Sequence, residues 1–126
     1  EKSPVACAAA LATIAYIEEH GLIEHARDLG RHALERLAAM KARHRLIGDV
    51  RGLGLLLGVE LVTDRATRAR ASAEAEAVMY RALSKGLSFK LTMGNIITLT
   101  PPLVITREEM DRALGILDEC LTEVER

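Results

Sequence analysis

The stretch Pro4-Val-Ala-Cys-Ala-Ala-Ala-Leu-Ala-Thr-Ile-Ala-Tyr-Ile17 constrains this chain more than any other feature, because it reads as a helix without a solvent face. Ser3 before Pro4 marks its start: a side-chain oxygen for the free N–H groups, then a ring whose missing N–H is harmless at the first helical position. Gly21 marks its stop, so the spacing predicts a helix to about His20. Apart from amphipathic Tyr16, Thr13 is the one polar residue in its first four turns. Such a helix needs protein against almost every side, and a chain of 126 residues has few other elements to supply it. The run is shorter than the ~20 residues of a membrane span, so it reads as a core helix and no membrane partner is expected.

The rest of the pattern is that of one compact domain. Leu22, Ala26, Leu29, Ala33, Leu37 and Met40 recur at helical spacing and predict an amphipathic helix over about 22–43. A third helix is expected over about 73–85, with Ala75, Val78, Met79, Ala82 and Leu83 inward. A fourth begins at Thr106-Arg-Glu-Glu109, where hydroxyl and carboxylate can cap the first turn reciprocally. Between these lie strands. Gly52-Leu-Gly-Leu-Leu-Leu-Gly-Val-Glu-Leu-Val62 alternates as a strand with Leu55, Leu57, Val59 and Leu61 on one face, and Gly54, Leu56, Gly58 and Glu60 on the other. Residues 62–72 read as a polar connection. Leu87–Leu91 and Ile96–Thr100 form a hairpin over Thr92–Asn95, with Gly94 available for a positive φ. Lys90, Ile96, Thr98 and Thr100 share its second face, too polar for a core and too apolar for free surface. The fold class is therefore α+β: a small, mostly antiparallel sheet with helices on one face.

Composition excludes several functions. There are 17 Lys plus Arg against 18 Asp plus Glu, with no basic stripe, so nucleic acid is not an expected partner. Cys7 and Cys120 read as buried small apolar groups rather than a disulfide, and with no secretory pattern the expected setting is cytoplasmic. His25 and His32 are seven apart on what reads as the solvent side of a helix, without the i, i+4 spacing of a zinc pair, so no metal site is expected. The glycines at 48, 52, 54 and 58 lead into a strand, whereas a phosphate cradle needs a helix N-terminus. Asp49 and Arg51 read as a local ion pair. The residues show no complete catalytic site, a sheet with a semi-polar face and a helix needing cover.

Three ordered motifs then acquire meaning together: Ser3–Leu22, Ile47–Arg68 and Gly94–Leu121. Their sequence resembles the C-terminal part of the class III pyridoxal-phosphate aminotransferases, a family that includes 4-aminobutyrate and acetylornithine aminotransferases, dialkylglycine decarboxylase and aminocaprolactam racemase. The resemblance spans essentially the whole chain. It implies fold type I architecture, with residues 1–20 the helix linking two domains and residues 21–126 the C-terminal small domain. It implies a missing N-terminal large domain, a homodimer, a small amine or amino-acid substrate, and pyridoxal 5'-phosphate held by the parent enzyme.

The family's cofactor lysine lies upstream of the Pro4 stretch, so the resemblance implies no catalytic or cofactor-binding residue here and no transaminase activity for these residues alone. Many relatives carry an arginine where this chain has Thr98, and that arginine grips a substrate carboxylate. A hydroxyl cannot replace it. The substrate-binding candidates are Thr98 itself and Lys90, the cation of the hairpin on the same face. Racemase and decarboxylase chemistry stay open within the family, and a free-standing ligand-binding or interaction module stays open outside it. Pro101 and Pro102 have a geometric role, ending the ladder and fixing an extended exit.

Overall fold

The computed structural model describes residues 3–126. Helix α1 spans Pro4–Glu19, with the Ala6 N–H donating to Ser3 Oγ at 3.3 Å, as the Ser-Pro start requires. It is followed by α2 (Leu22–Arg43), the hairpin β1 (Ile47–Leu53) and β2 (Leu56–Asp64), a short β3 (Ala69–Arg70), α3 (Ser72–Ser84), β4 (Lys90–Thr92), β5 (Ile96–Leu99) and α4 (Arg107–Glu125). All strand pairs are antiparallel in the order β1-β2-β5-β4, with β3 paired to the far end of β2.

Two expectations are corrected. The single strand of residues 52–62 is the second arm of a hairpin: the chain reverses at Gly54-Leu55, where Gly54 takes φ +55° and Leu53 pairs with Leu56. A glycine at the first central position is what a tight type II′ reversal needs, and apolar alternation passes through such a turn unmarked. The polar connection of residues 62–72 contains β3 and the last residues of β2. The second hairpin is closer to expectation. Its loop is Met93-Gly94-Asn95, with Gly94 at φ +81°, because Thr92 already pairs with Ile96.

Helices α2, α3 and α4 cover one face of the sheet. Leu37, Met40, Leu57, Val59, Leu61, Val78, Ile97, Leu114, Leu117 and Leu121 are fully buried between them. The reciprocal cap of α4 is present, with Glu109 N–H donating to Thr106 Oγ1 (3.1 Å) and Thr106 N–H to Glu109 Oε2 (2.8 Å). Helix α2 can approach the first hairpin because of Gly30: a Cβ there would fall 2.1 Å from the Gly54 carbonyl oxygen.

Helix α1 is different. It buries no residue, and Val5 and Leu11 are 79% and 69% exposed. Cys7, expected to be buried, is exposed with the rest of this helix because no other element of the chain covers it; Cys120 is buried on α4. No single helix among the described residues is long and apolar enough to cross a membrane.

Candidate substrate-end site on the open sheet face

The face of the sheet turned away from α2–α4 carries the two candidate residues. Register puts Arg51 opposite Gly58, Gly58 opposite Thr98, and Thr98 opposite Lys90, so these four residues form one row across four strands. Cross-strand partners project to the same side of a sheet. Lys90 and Thr98 are therefore brought together as the alternation predicted. Thr98 is half-buried, and its hydroxyl lies 2.7 Å from that of Thr92 on the neighbouring strand. Gly58 beside it carries no side chain, and a Cβ there would make ordinary van der Waals contact with Ile96 Cγ2 at 3.6 Å.

Sequence reading treated Lys90 as the hairpin's cation and missed that Arg51 stands in the same row. The signal was the hairpin at Gly54, which alone places β1 next to β2. Arg51 does not offer a free charge. Its Nη1 donates to Asp49 Oδ2 (2.7 Å) and Glu60 Oε2 (2.8 Å), so the expected local pair is a three-member cluster. These hydrogen bonds, first the one to Glu60 and then the one to Asp49, raise the guanidinium pKa. The bond from Arg51 holds the Asp49 carboxyl below its ordinary range. Two carboxylates on one guanidinium leave the cluster net negative, a poor seat for an anionic substrate group. Lys90 is exposed and has no acidic partner among the described residues.

The backbone beneath this row is fixed from both ends. Buried Asn95 donates from Nδ2 to the Leu61 carbonyl (2.9 Å) and accepts the Leu61 N–H on its own carbonyl (2.8 Å), which clamps the hairpin tip to β2. At the other end the Leu87 N–H donates to the Ala82 carbonyl (2.8 Å) and the Gly86 N–H to the Leu83 carbonyl (3.1 Å), with Gly86 at φ +89°. This is a Schellman motif, and it ties the entry to β4 to the end of α3.

The histidines serve packing, and their placement corrects the solvent-side expectation for His25 and His32. His25 Nε2 meets the Ile105 carbonyl at 2.7 Å, and His32 bonds Asp111 through Nε2 and Arg107 through Nδ1. Their side of α2 faces α4, which helical periodicity alone did not show because the apolar stripe sits beside it.

A pyridoxal-phosphate site requires a lysine that is desolvated or set beside another cation so that it can form an imine. Lys85 has the opposite setting. Its ammonium lies 2.6 Å from Glu119 and 2.8 Å from Glu123, and hydrogen bonds to these two carboxylates push its pKa far above the ordinary value. Lys90 is exposed on the edge strand β4. The described residues do not fit the cofactor, and no step of its chemistry is assigned to them.

Residues 2–121 match the sequence model of the family described as Aminotransferase class-III. The chain is 50% identical to an (R)-1-hydroxy-2-aminoethylphosphonate ammonia-lyase of Vibrio splendidus, over 98% of this chain and 26% of that protein. It is 46% identical to a leucine/methionine racemase of Thermococcus litoralis, over 98% and 28% respectively. Its fold superposes on an amine transaminase from an uncultivated Pseudomonas species in the PLP-bound form, with a TM-score of 0.89 and 33% identity over 95% of this chain and 28% of that one. The chain thus spans about a quarter of the length of the curated relatives it matches. Motif order, fold and family match coincide over nearly every residue, and the chain belongs to the class III aminotransferase family.

Proposed function

We propose that these residues are the C-terminal small domain of a pyridoxal-phosphate-dependent class III enzyme that acts on the amino group of a small amine or amino acid. The observation that carries this is the open row Arg51-Gly58-Thr98-Lys90, a semi-polar sheet face with one unpaired cation, on a chain whose family is known. In this reading the cofactor is held by the rest of a longer protein. Helix α1 links the two parts, and the small domain receives the far end of the substrate and closes over it. Lys90 supplies the charge that meets an anionic substrate end, and Thr98 leaves room where an arginine would grip it. A homodimer and a cytoplasmic setting belong to the same reading. The first is supported by the uncovered α1, and the second by two free thiols.

The test has two arms. Residues 1–126 mixed with pyridoxal phosphate should give no imine absorbance, while the full-length protein should give one per chain. In the full-length enzyme Lys90→Ala should raise KM for an anionic substrate about threefold with kcat nearly unchanged, the value of an exposed ion pair. A stoichiometric imine on the short chain, or kinetics untouched by the substitution, would reject the respective half of the reading.

Amino-group transfer is the family's reaction by description. A second reading, racemisation or elimination in the same site, is favoured by the two relatives above, a lyase and a racemase at 50% and 46% identity. Both lie on the non-transferring side. Full-length enzyme given an amino acid without any oxo-acid acceptor separates the readings: turnover over many cycles belongs to the second, and a single stoichiometric conversion belongs to the first.

A further inference from the structure

A polar cavity of about 650 Å3 lies at the β1 edge of the sheet, the edge opposite Lys90, where the end of α2 meets β1, β2 and the turn before β3. Six charged side chains line it: Lys41, Arg51, Arg65 and Arg68 against Asp49 and Glu60. Arg51 is already spent on the two carboxylates. Lys41, Arg65 and Arg68 remain, three cations with no acidic partner among the described residues.

Two of the three are held in place by the backbone. Arg65 donates from Nε to the Ile47 carbonyl (3.1 Å) and from Nη2 to the Lys41 and His44 carbonyls (2.7 Å each). A guanidinium has five N–H groups, so both on Nη1 stay available on a fork whose orientation is set, and neutral carbonyls do not cancel its charge. Arg68 stands on a built turn. Asp64 Oδ1 accepts the Ala66 N–H (2.6 Å) and the Thr67 N–H (3.1 Å), and Arg68 itself takes φ +57°, a left-handed conformation uncommon for a residue with a side chain. Lys41 is half-buried. After the hydrogen bond from Arg51, its charge also helps to hold the Asp49 carboxyl below the ordinary range, yet the two form no ion pair. The lining has no aromatic ring, and its one apolar side chain, Val62, is buried against Gly48. Such a wall recognises charge and oxygen, not a base or a hydrocarbon.

We propose that this cavity binds a compact oligophosphate anion, its phosphoryl oxygens on Lys41, Arg65 and Arg68, with Asp49 and Glu60 bounding the side it avoids. Two planar forks and an ammonium match a ligand with several terminal oxygens and more than one charge. A monocarboxylate, with two oxygens and a single charge, leaves most of these donors unused. The proposal does not rest on the substrate-end reading, because it uses no residue of the Thr98–Lys90 pair and is measured without any amine substrate.

The experiment is calorimetric titration of the full-length holoenzyme with inorganic pyrophosphate, and with phosphate and acetate at the same low ionic strength, since salt screens exposed charges. Pyrophosphate should bind saturably and more tightly than phosphate, and phosphate more tightly than acetate. Arg68→Asn, which keeps a residue tolerant of the left-handed backbone, and Lys41→Gln should each weaken pyrophosphate about fivefold. Asp49→Asn removes a like charge and should tighten it about threefold. Lys90→Ala, the variant that tests the earlier reading, should leave pyrophosphate affinity unchanged. Absence of saturable pyrophosphate binding overturns the proposal. So does an affinity indifferent to both Arg68→Asn and Lys41→Gln, one weakened by Asp49→Asn, or one lost with Lys90→Ala.

Discussion

On the proposed reading, Thr98 decides what the open face can hold. It stands in the centre of a row with Gly58 on one side and Lys90 on the other, and its hydroxyl is already engaged with Thr92. Replacing it by arginine puts a planar, always charged fork on the open face next to a residue without a side chain, Gly58. Thr98→Arg in the full-length enzyme is expected to lower KM for substrates with a distal carboxylate by about tenfold, the effect of one charge-assisted hydrogen-bonded pair, measured against an uncharged amine of equal length. Gly30 makes the opposite case, a position without tolerance. A Cβ at Gly30 would fall inside the Gly54 carbonyl, so Gly30→Ala should cost about 3 kcal/mol, read as a lowered thermal unfolding midpoint of the full-length protein. The pairing of Thr98 with Lys90 was legible in the sequence because strand periodicity is two. The Gly30–Gly54 contact was not, since it depends on where α2 crosses a hairpin whose turn the apolar pattern concealed.

Among the elements, α2 and α4 are joined by a line of acids and bases. His44, 4% exposed, has Nε2 at 2.6 Å from Asp118 and Nδ1 at 2.9 Å from Glu125, while Arg43 bonds both oxygens of Asp118. Farther along, Asp111 receives His32 and Arg36. Burial alone would raise the Asp118 carboxyl, but the hydrogen bonds from His44 and Arg43 hold it below the ordinary carboxylate range; at Asp111 the bond from His32 dominates in the same direction. A carboxylate whose folded pKa lies below its unfolded value of about 4 stabilises the fold above that pH and ceases to do so as acid is added. Unfolding midpoints should therefore fall between about pH 4 and pH 2, and Asp118→Asn should lower the midpoint at pH 6 while flattening that acid limb. Helix boundaries and caps were readable because they follow from local periodicity and capping oxygens. The α2–α4 line was not, because its members are some 75 residues apart and only tertiary packing brings them together.

For the whole molecule the uncovered surfaces matter most. Helix α1 buries nothing, and beside it Leu53 and Leu56 at the first hairpin and Leu103 after the prolines line an open apolar trough with Ile23 and Leu34 of α2. The chain itself is about a quarter of the length of its curated relatives. If these surfaces meet the rest of a longer enzyme, Leu53→Asp should destabilise the full-length protein by about 2–3 kcal/mol. At a residue 86% exposed in this chain alone, the same substitution should cost under about 0.5 kcal/mol. Comparing the two unfolding midpoints distinguishes a docked lid from a self-sufficient module. The need for cover was visible from the Pro4–Ile17 composition, whereas the trough depends on the first hairpin and on residues after Pro102 meeting α2.

The hairpin that carries Thr98 is anchored at its tip by Asn95 and at its root by Leu87. A ribbon fastened at both ends behaves like a mounting rail: the fittings along its outward edge can be exchanged one at a time while the rail keeps its place. On the proposed reading, divergence in what the enzyme accepts would proceed by single substitutions at positions 90, 96 and 98, without the backbone having to be reinvented at each step.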